Sequence, residues 1–328
     1  MSTQPPILKV DNAQNVLKES NFQRKVIESF CVLGHILFFL VKLLYYWGEV
    51  IYLKLNPPPP TSVKGQIVLI TGAGHGIGRE LALAYSSRGA IVVGWDINKR
   101  NNDETIKEIA ELGGRPKAYS FQCDITNREE VLKTAKDVQS LVGDVDILIN
   151  NAGIMPCHSL DDHTPQEIEK IIAVNLTAHF WLLEAFLPNM KRKNQGHIVS
   201  ISSMAGLIGF TNLVPYCATK FGVRGYMEAL FDELKLTNPK NRIKMTVIFP
   251  YMVDTGLCKR PKIKYETLMP LLSPKDVAEE ILDAQCKAKL EVTIPNYLGG
   301  LTLMGRCLPY NAAMNLKRTF EAIVESDM

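Results

Sequence analysis

The stretch Gln66–Gly78, QIVLITGAGHGIG, decides the fold. Its first half is a short β-branched run, Ile67 to Ile70, which reads as a buried strand. Its second half leads into GRELALAYSSRG, whose apolar residues recur at i, i+3 and i+4 and predict a helix. Between the two, Gly72, Gly76 and Gly78 let backbone N–H groups approach a pyrophosphate, which a helix N-terminus also favours electrostatically. His75 and Ile77 belong to the same candidate loop. The next strand, AIVVGWD, ends at Asp96, twenty residues beyond Gly76. A carboxylate there accepts from both hydroxyls of an adenine ribose and repels a 2′-phosphate, so the expected cofactor is NAD rather than NADP. Lys99 and Arg100 follow closely and are the cations a 2′-phosphate would use.

Outward from this unit the pattern repeats. QIVLIT, AIVVGWD, AYSFQCD, VDILINNAG, GHIVSISS, KMTVIFP and EVTIP read as seven strands, alternating with helix-period stretches such as REEVLKTAKDVQSLVG and TKFGVRGYMEALFDELKLT. Strict alternation implies a Rossmann-type doubly wound α/β domain, a parallel sheet covered on both faces by helices. The boundaries expected are a polar, loosely attached lead-in over 1–25, a hydrophobic anchor over 26–56 and a proline-rich linker over 57–63. The catalytic domain follows over 64–296, then a C-terminal lid or membrane-contact extension over 297–328.

Composition narrows the function. The 328 residues are 46% hydrophobic and 22% charged, enough for one catalytic-size core with appendages, and a net charge of +3 gives no basis for binding nucleic acid. The seven cysteines are odd in number and widely spaced with no CxxC pair, so neither a disulfide framework nor a metal site is expected. Reduced thiols place the chain on the cytosolic side of any membrane.

Several further motifs fall in order along the same domain: Asp124 in QCD, Asn150–Gly153 as NNAG, Asn175 in VNLT, Ser203 in SISSMAG, and Tyr216 with Lys220 in YCATK. Ser203 and Tyr216 lie 13 residues apart. From about Lys64 to Pro295 the chain resembles the short-chain dehydrogenase/reductase family. The resemblance implies that Asp124, Asn151, Ala152 and Gly153 line the cofactor, and that Asn175, Ser203, Tyr216 and Lys220 are catalytic. It also implies that Pro250, Val253 and Thr255, in PYMVDTG, close over the nicotinamide. Tyr251 stands where the family commonly has glycine. That tyrosine and the WDIN run, Trp95–Asn98, are similar to the membrane-associated subgroup containing 17β-hydroxysteroid dehydrogenase types 11 and 13 and the epidermal retinol dehydrogenases. A homodimer is expected on the same ground.

The residue types suit the chemistry. Tyr216 and Lys220 share a helical face. An unperturbed phenol titrates near about 10, and a neighbouring ammonium together with an oxidised nicotinamide favours phenolate. Tyr216 is then the group that takes an alcohol proton, with Ser203 holding the substrate oxygen. Lys220 is expected to bind the nicotinamide ribose as well, and Asn175, by the resemblance, to position a water. Asn175 also begins a glycosylation acceptor pattern, NLT, so the catalytic reading requires a domain that escapes lumenal glycosylation.

Ahead of the domain, Val26–Leu53 is an oily run of 28 residues, about 42 Å as a helix. Length permits a tilted span of a roughly 30 Å hydrocarbon layer. Glu28, His35, Lys42 and Glu49 recur at every seventh position, a narrow polar stripe that suits a helix lying in the membrane interface. A helix buried against protein and a single or hairpin span remain alternatives. Pro57–Pro60 is read as a stiff spacer. Tyr297–Tyr310 is a further candidate lipid contact, and the basic run Cys258–Lys264 is either another or an ordinary solvated loop.

The resulting expectation is an NAD-dependent oxidoreductase acting on a hydrophobic alcohol such as a steroid or a retinoid. Its place is the cytosolic face of the endoplasmic reticulum or a lipid droplet. An NADPH-dependent lipid ketone reductase and a lipid-surface scaffold are the alternatives.

Overall fold

Seven parallel strands form the sheet: β1 (Ile67–Thr71), β2 (Ile91–Asp96), β3 (Ala118–Gln122), β4 (Ile147–Asn150), β5 (Gly196–Ile201), β6 (Ile243–Pro250) and β7 (Glu291–Ile294). The computed structural model describes residues 8–320 and 323–324, apart from 58, 113–116, 259–260, 266 and 268. The start of the expected lead-in, Pro58 of the linker, Lys259 and Arg260 of the basic run, and residues 321–322 and 325–328 of the C-terminal extension therefore lie outside the described residues. Strand order is β3-β2-β1-β4-β5-β6-β7. The order reverses between β1 and β4, so a crevice opens at their C-terminal ends, where ligands bind in such sheets.

Alternate side chains along each strand supply two separate cores. Leu69, Leu148, Ile198, Val247 and Phe249 face one side, against α4 (Arg128–Leu141), α6 (Ala178–Lys193) and α7 (Val214–Thr237) through Val138, Leu182, Phe186 and Met227. Val68, Ile70, Ile147, Ile149 and Ile248 face the other, against α2 (Gly76–Ser87), α3 (Lys99–Glu111) and α8 (Pro274–Cys286) through Leu81, Tyr85, Ile109 and Ile281. Both faces are covered, which is why the strands read as continuous apolar runs. The α5 helix (Pro165–Ile172) starts with a capping box between Thr164 and Glu167. It passes through one π-helical turn, Ala173–Thr177, before α6 begins. Beyond β7 the chain forms α9 (Tyr297–Cys307) and α10 (Tyr310–Phe320), with Pro261–Lys262 paired antiparallel to Ile323–Val324.

Two compact units divide between Pro59 and Pro60. The first contains α1, one helix over Leu8–Leu55, about 72 Å long by its 48 residues. It begins well ahead of the expected Val26, so the described part of the lead-in is helix rather than loose chain. The reason is propensity: no proline occurs between Pro6 and Pro57, and helix formers fill the polar segment, which an amphipathic pattern search passes over. Within α1, Arg24 pairs with Glu28 at 2.9 Å, and the Lys42 ammonium lies 4.6 Å above the Phe38 ring.

All seven cysteines are free thiols, and burial pushes the Cys123 thiol up to about 12. Of the four buried histidines, His158, His163, His179 and His197, the last two sit in polar networks against the sheet. His197 bonds Thr246 at 2.8 Å and Gln285 at 3.1 Å, and His179 bonds the Tyr226 hydroxyl at 2.8 Å. Burial, with a lesser push from Lys244 for His197 and from Lys220 for His179, holds both imidazoles down to about 3. Unfolded, each takes a proton near about 6.5. The stability that depends on neutral imidazole is therefore complete above that value and is lost as pH falls from there toward 3. Unfolding near pH 5, followed by denaturant titration with proton-uptake measurement, is expected to take up close to two protons. His197→Gln should remove about half of that uptake.

Candidate active site

The glycine loop is built by close approach of backbone to backbone. A Cβ on Gly78 would lie 2.0 Å from the Gly72 carbonyl oxygen, so only glycine lets α2 start directly beneath the end of β1. Gly72 has φ +68°, and its N–H donates to the Trp95 carbonyl at 2.7 Å. His75 precedes α2 in an extended conformation, and its side chain does not cap the helix. The amides of the first turn thus remain available to an anion.

NNAG holds this loop from the side. The Asn151 side chain donates to the Thr71 carbonyl at 2.9 Å, and the Thr71 hydroxyl accepts from the Asn151 and Ala152 amides at 3.0 and 3.1 Å. Thr71 is thus a positioning residue that motif reading passed over; its burial at a strand end beside a glycine was the available signal.

Asp96 is preorganised by backbone. Its carboxylate accepts from Gly74 N–H at 2.9 Å and Asn98 N–H at 2.8 Å. Lys99 pairs with Asp103 at 2.7 Å and Arg100 with Glu104 at 3.0 Å, so both nearby cations are engaged along α3. Asp124 accepts from the Thr126 amide and hydroxyl at 2.9 and 2.7 Å.

A cavity of about 580 Å³ runs past the glycine loop, Asp96, Asp124 and the NNAG stretch. Its lining includes Gly72, His75, Gly76, Ile77, Asp96, Asp124, Asn151, Ala152, Gly153, Ser203, Tyr216, Lys220, Pro250, Val253 and Thr255. Gly78 and Asn175 stand behind that lining and support it. Thr255 packs 3.0 Å from where a Cβ on Gly76 would sit, which brings the PYMVDTG segment onto the glycine loop. The fit to a dinucleotide is good: glycine-only approaches, an uncapped helix start and a fixed carboxylate lie along one cavity. The remaining walls are apolar, with Met155, Met204, Phe210, Leu213, Tyr251, Met252, Leu257 and Cys258.

The catalytic candidates converge. Ser203 opens a tight turn in which its hydroxyl accepts from Ala205 N–H at 3.1 Å. Gly206 in that turn crosses α7 so closely that a Cβ would meet the Lys220 carbonyl oxygen at 2.6 Å, which fixes the distance between the serine turn and the tyrosine helix. Burial pushes the Tyr216 phenol up to about 12, against a hydrogen bond with Ser203 that works in the opposite direction. Burial pulls the Lys220 ammonium down to about 8, while it donates to the Ile201 carbonyl at 2.9 Å and lies 5.5 Å from the Tyr216 ring centre. The phenolate expected from the ammonium together with an oxidised nicotinamide is thus not the state of the protein by itself: burial dominates, and the phenol is neutral at neutral pH.

Asn175, in the π turn, is wholly buried and clamps Ile154, accepting from its N–H and donating to its carbonyl, both at 2.8 Å. Its amide oxygen and the Lys220 ammonium flank Gly153. Beneath, Tyr226 shares a 2.8 Å hydrogen bond with Ser200 as well as its bond to His179, a buried polar seam that no motif announces.

Residues 66–265 match the family described as short chain dehydrogenase. The chain is 41% identical over 275 residues to epidermal retinol dehydrogenase 2 of Mus musculus, covering 84% of this chain and 88% of that protein. It is 37% identical over 297 residues to 17-beta-hydroxysteroid dehydrogenase 13 of Homo sapiens, covering 89% and 97%. A short chain dehydrogenase/reductase of Burkholderia phymatum, solved in complex with NAD, shares the fold at a TM-score of 0.67 and 21% identity, over 75% of this chain and 94% of that one.

The depressed Lys220 has a stability cost. Below about pH 8 a buried ammonium opposes folding, and the penalty fades as pH rises from there to the unfolded value of 10.5. Lys220→Met is expected to raise stability at pH 7 by roughly 1–3 kcal/mol while abolishing turnover. Thermal unfolding at pH 7 and pH 10.5 checks it, the gap closing at the higher pH.

Proposed function

The chain belongs to the short-chain dehydrogenase/reductase family, and from that premise we propose that it is a membrane-associated, NAD-dependent oxidoreductase interconverting the hydroxyl and carbonyl of a steroid or retinoid. One observation carries the reading. The Ser203–Tyr216 pair, joined by a hydrogen bond, lines the same cavity as a methionine-rich apolar wall and a preorganised dinucleotide cradle.

The cofactor would rest with its pyrophosphate on the first turn of α2, its adenine ribose on Asp96 and its nicotinamide ribose on Lys220. When bound, NAD supplies the hydride acceptor at nicotinamide C4 and, in its oxidised form, a positive charge. Tyr216 takes the alcohol proton in oxidation and returns it in reduction; a buried neutral phenol is ready for the second direction as it stands. Ser203 holds the substrate oxygen and stabilises the charge it develops. Asn175 keeps the Ile154 loop, and through it Gly153, in register with Lys220.

Membrane association rests on α1, whose Asn21–Leu55 portion contains an 18-residue window with a mean hydropathy of 2.0 and carries exposed apolar side chains. Lipid droplets or the cytosolic face of the endoplasmic reticulum suit such a helix lying in the interface. Exposed Phe180 on α6 and Phe221 on α7 support a homodimer through these two helices.

The test is turnover of retinol, estradiol and long-chain alcohols by the full-length protein in detergent, with NAD and with NADP. Tyr216→Phe is expected to lose at least 100-fold in kcat while retaining NAD binding, which is read by fluorescence titration. Equal, negligible turnover by both proteins would favour the lipid-surface scaffold. Asp96→Ala is expected to weaken NAD and strengthen NADP, moving their kcat/KM ratio tenfold or more toward NADP. Tighter NADPH use by the unaltered protein would favour the reductase reading.

A further inference from the structure

The α9 helix wears its apolar stripe on the outside. Tyr297, Leu301 and Met304 recur at i, i+4 and i+7, one helical face, yet these residues, Leu303 and Leu308 just past the helix end are between 37% and 65% exposed. Leu298 is the α9 residue that is buried, in the core beside Phe249 and Tyr251. A helix of a domain surrounded by water turns such a stripe inward, so the outer face asks for a cover.

Its attachments place this face at the substrate side of the cavity. At its start, Gly299 N–H donates to the Thr293 hydroxyl at 2.9 Å, and Tyr297 lies close enough to the cavity-lining Tyr251 to raise its phenol, second to burial. At its end, the Arg306 guanidinium donates to the Leu207 carbonyl at 3.0 Å, on the segment leading to Phe210 and Leu213 of the cavity wall. Leu257 both lines the cavity and is exposed, which makes it the rim.

Charge identifies the cover. Residues 297–320 contain Arg306, Lys317 and Arg318 and no Asp or Glu. An apolar stripe flanked by cations alone complements an apolar layer edged by anionic headgroups.

We propose that the outer face of α9, with Leu257 at the cavity rim, seats on a phospholipid surface bearing anionic headgroups, so that the substrate cavity opens toward lipid. This rests on the reading of the substrate as a lipid alcohol. It adds a contact independent of α1, one that places the catalytic unit in a fixed orientation at the interface.

Hydrogen exchange of the full-length protein tests it, in solution, on phosphatidylcholine vesicles and on vesicles that also contain phosphatidylserine. Amides of 301–308 should exchange at least fivefold more slowly on the anionic vesicles than in solution, with a smaller effect on the zwitterionic ones. The double variant Leu301→Glu, Met304→Glu should lose that protection and keep NAD affinity. It should raise KM for vesicle-borne retinol about tenfold, with KM for a water-soluble short-chain alcohol unchanged. Unchanged α9 exchange on vesicles that do bind the protein would overturn the proposal. So would protection present without lipid and lost on dilution, which would assign the face to a second copy. Exchange decides the docking even where no alcohol is turned over, so failure of the catalytic reading is seen separately.

Discussion

The contact on which the site depends is the approach of Gly78 to the Gly72 carbonyl. Everything downstream inherits its geometry from that one crossing of backbones. Because α2 starts directly beneath the end of β1, its free amides lie in the crevice at the sheet's switch point. The Asn151 latch and the Thr71 hydroxyl then have a rigid edge to grip. A similar crossing, Gly206 against the Lys220 carbonyl, sets the serine turn on the tyrosine helix. Two backbone contacts without side chains thus locate the candidate cofactor cradle and the Tyr216–Lys220 pair relative to the sheet.

Burial tunes that pair in opposite directions. Tyr216 rises and Lys220 falls because the same low-polarity surroundings disfavour the charged form of each. The free protein therefore stores a neutral phenol beside an ammonium that is easily neutralised. Either member is moved by any charge brought into the cavity, and this is what a site poised for both directions of a redox reaction requires.

Much of this was legible in the sequence, for identifiable reasons. Parallel strands buried on both faces leave uninterrupted apolar runs, and a glycine-only loop leaves glycines. Tyr216 and Lys220 needed only helical spacing. The start of α1 was not legible because Leu8–Lys25 is dominated by polar residues, with no apolar run to mark it. The clamp of Asn175 on Ile154 joins residues that no local pattern relates, and the Ser200–Tyr226–His179 seam spans β5, α7 and α6. The helical form of α9 escaped notice because its glycines weaken the signal that its exposed leucines carry. In each case the missing information lies in tertiary contact.

The burial of Asn175 bears on the acceptor pattern it begins. Its NLT acceptor is sealed in the folded domain, with both ends of the amide committed to Ile154. A sugar could be attached only to an unfolded chain on the lumenal side, and once attached it would deny the π turn its clamp and Gly153 its place beside Lys220. Glycosylation at this position and a completed active site therefore exclude each other in one molecule. The asparagine that orders the candidate site is thus hidden by the same contacts that give it that place.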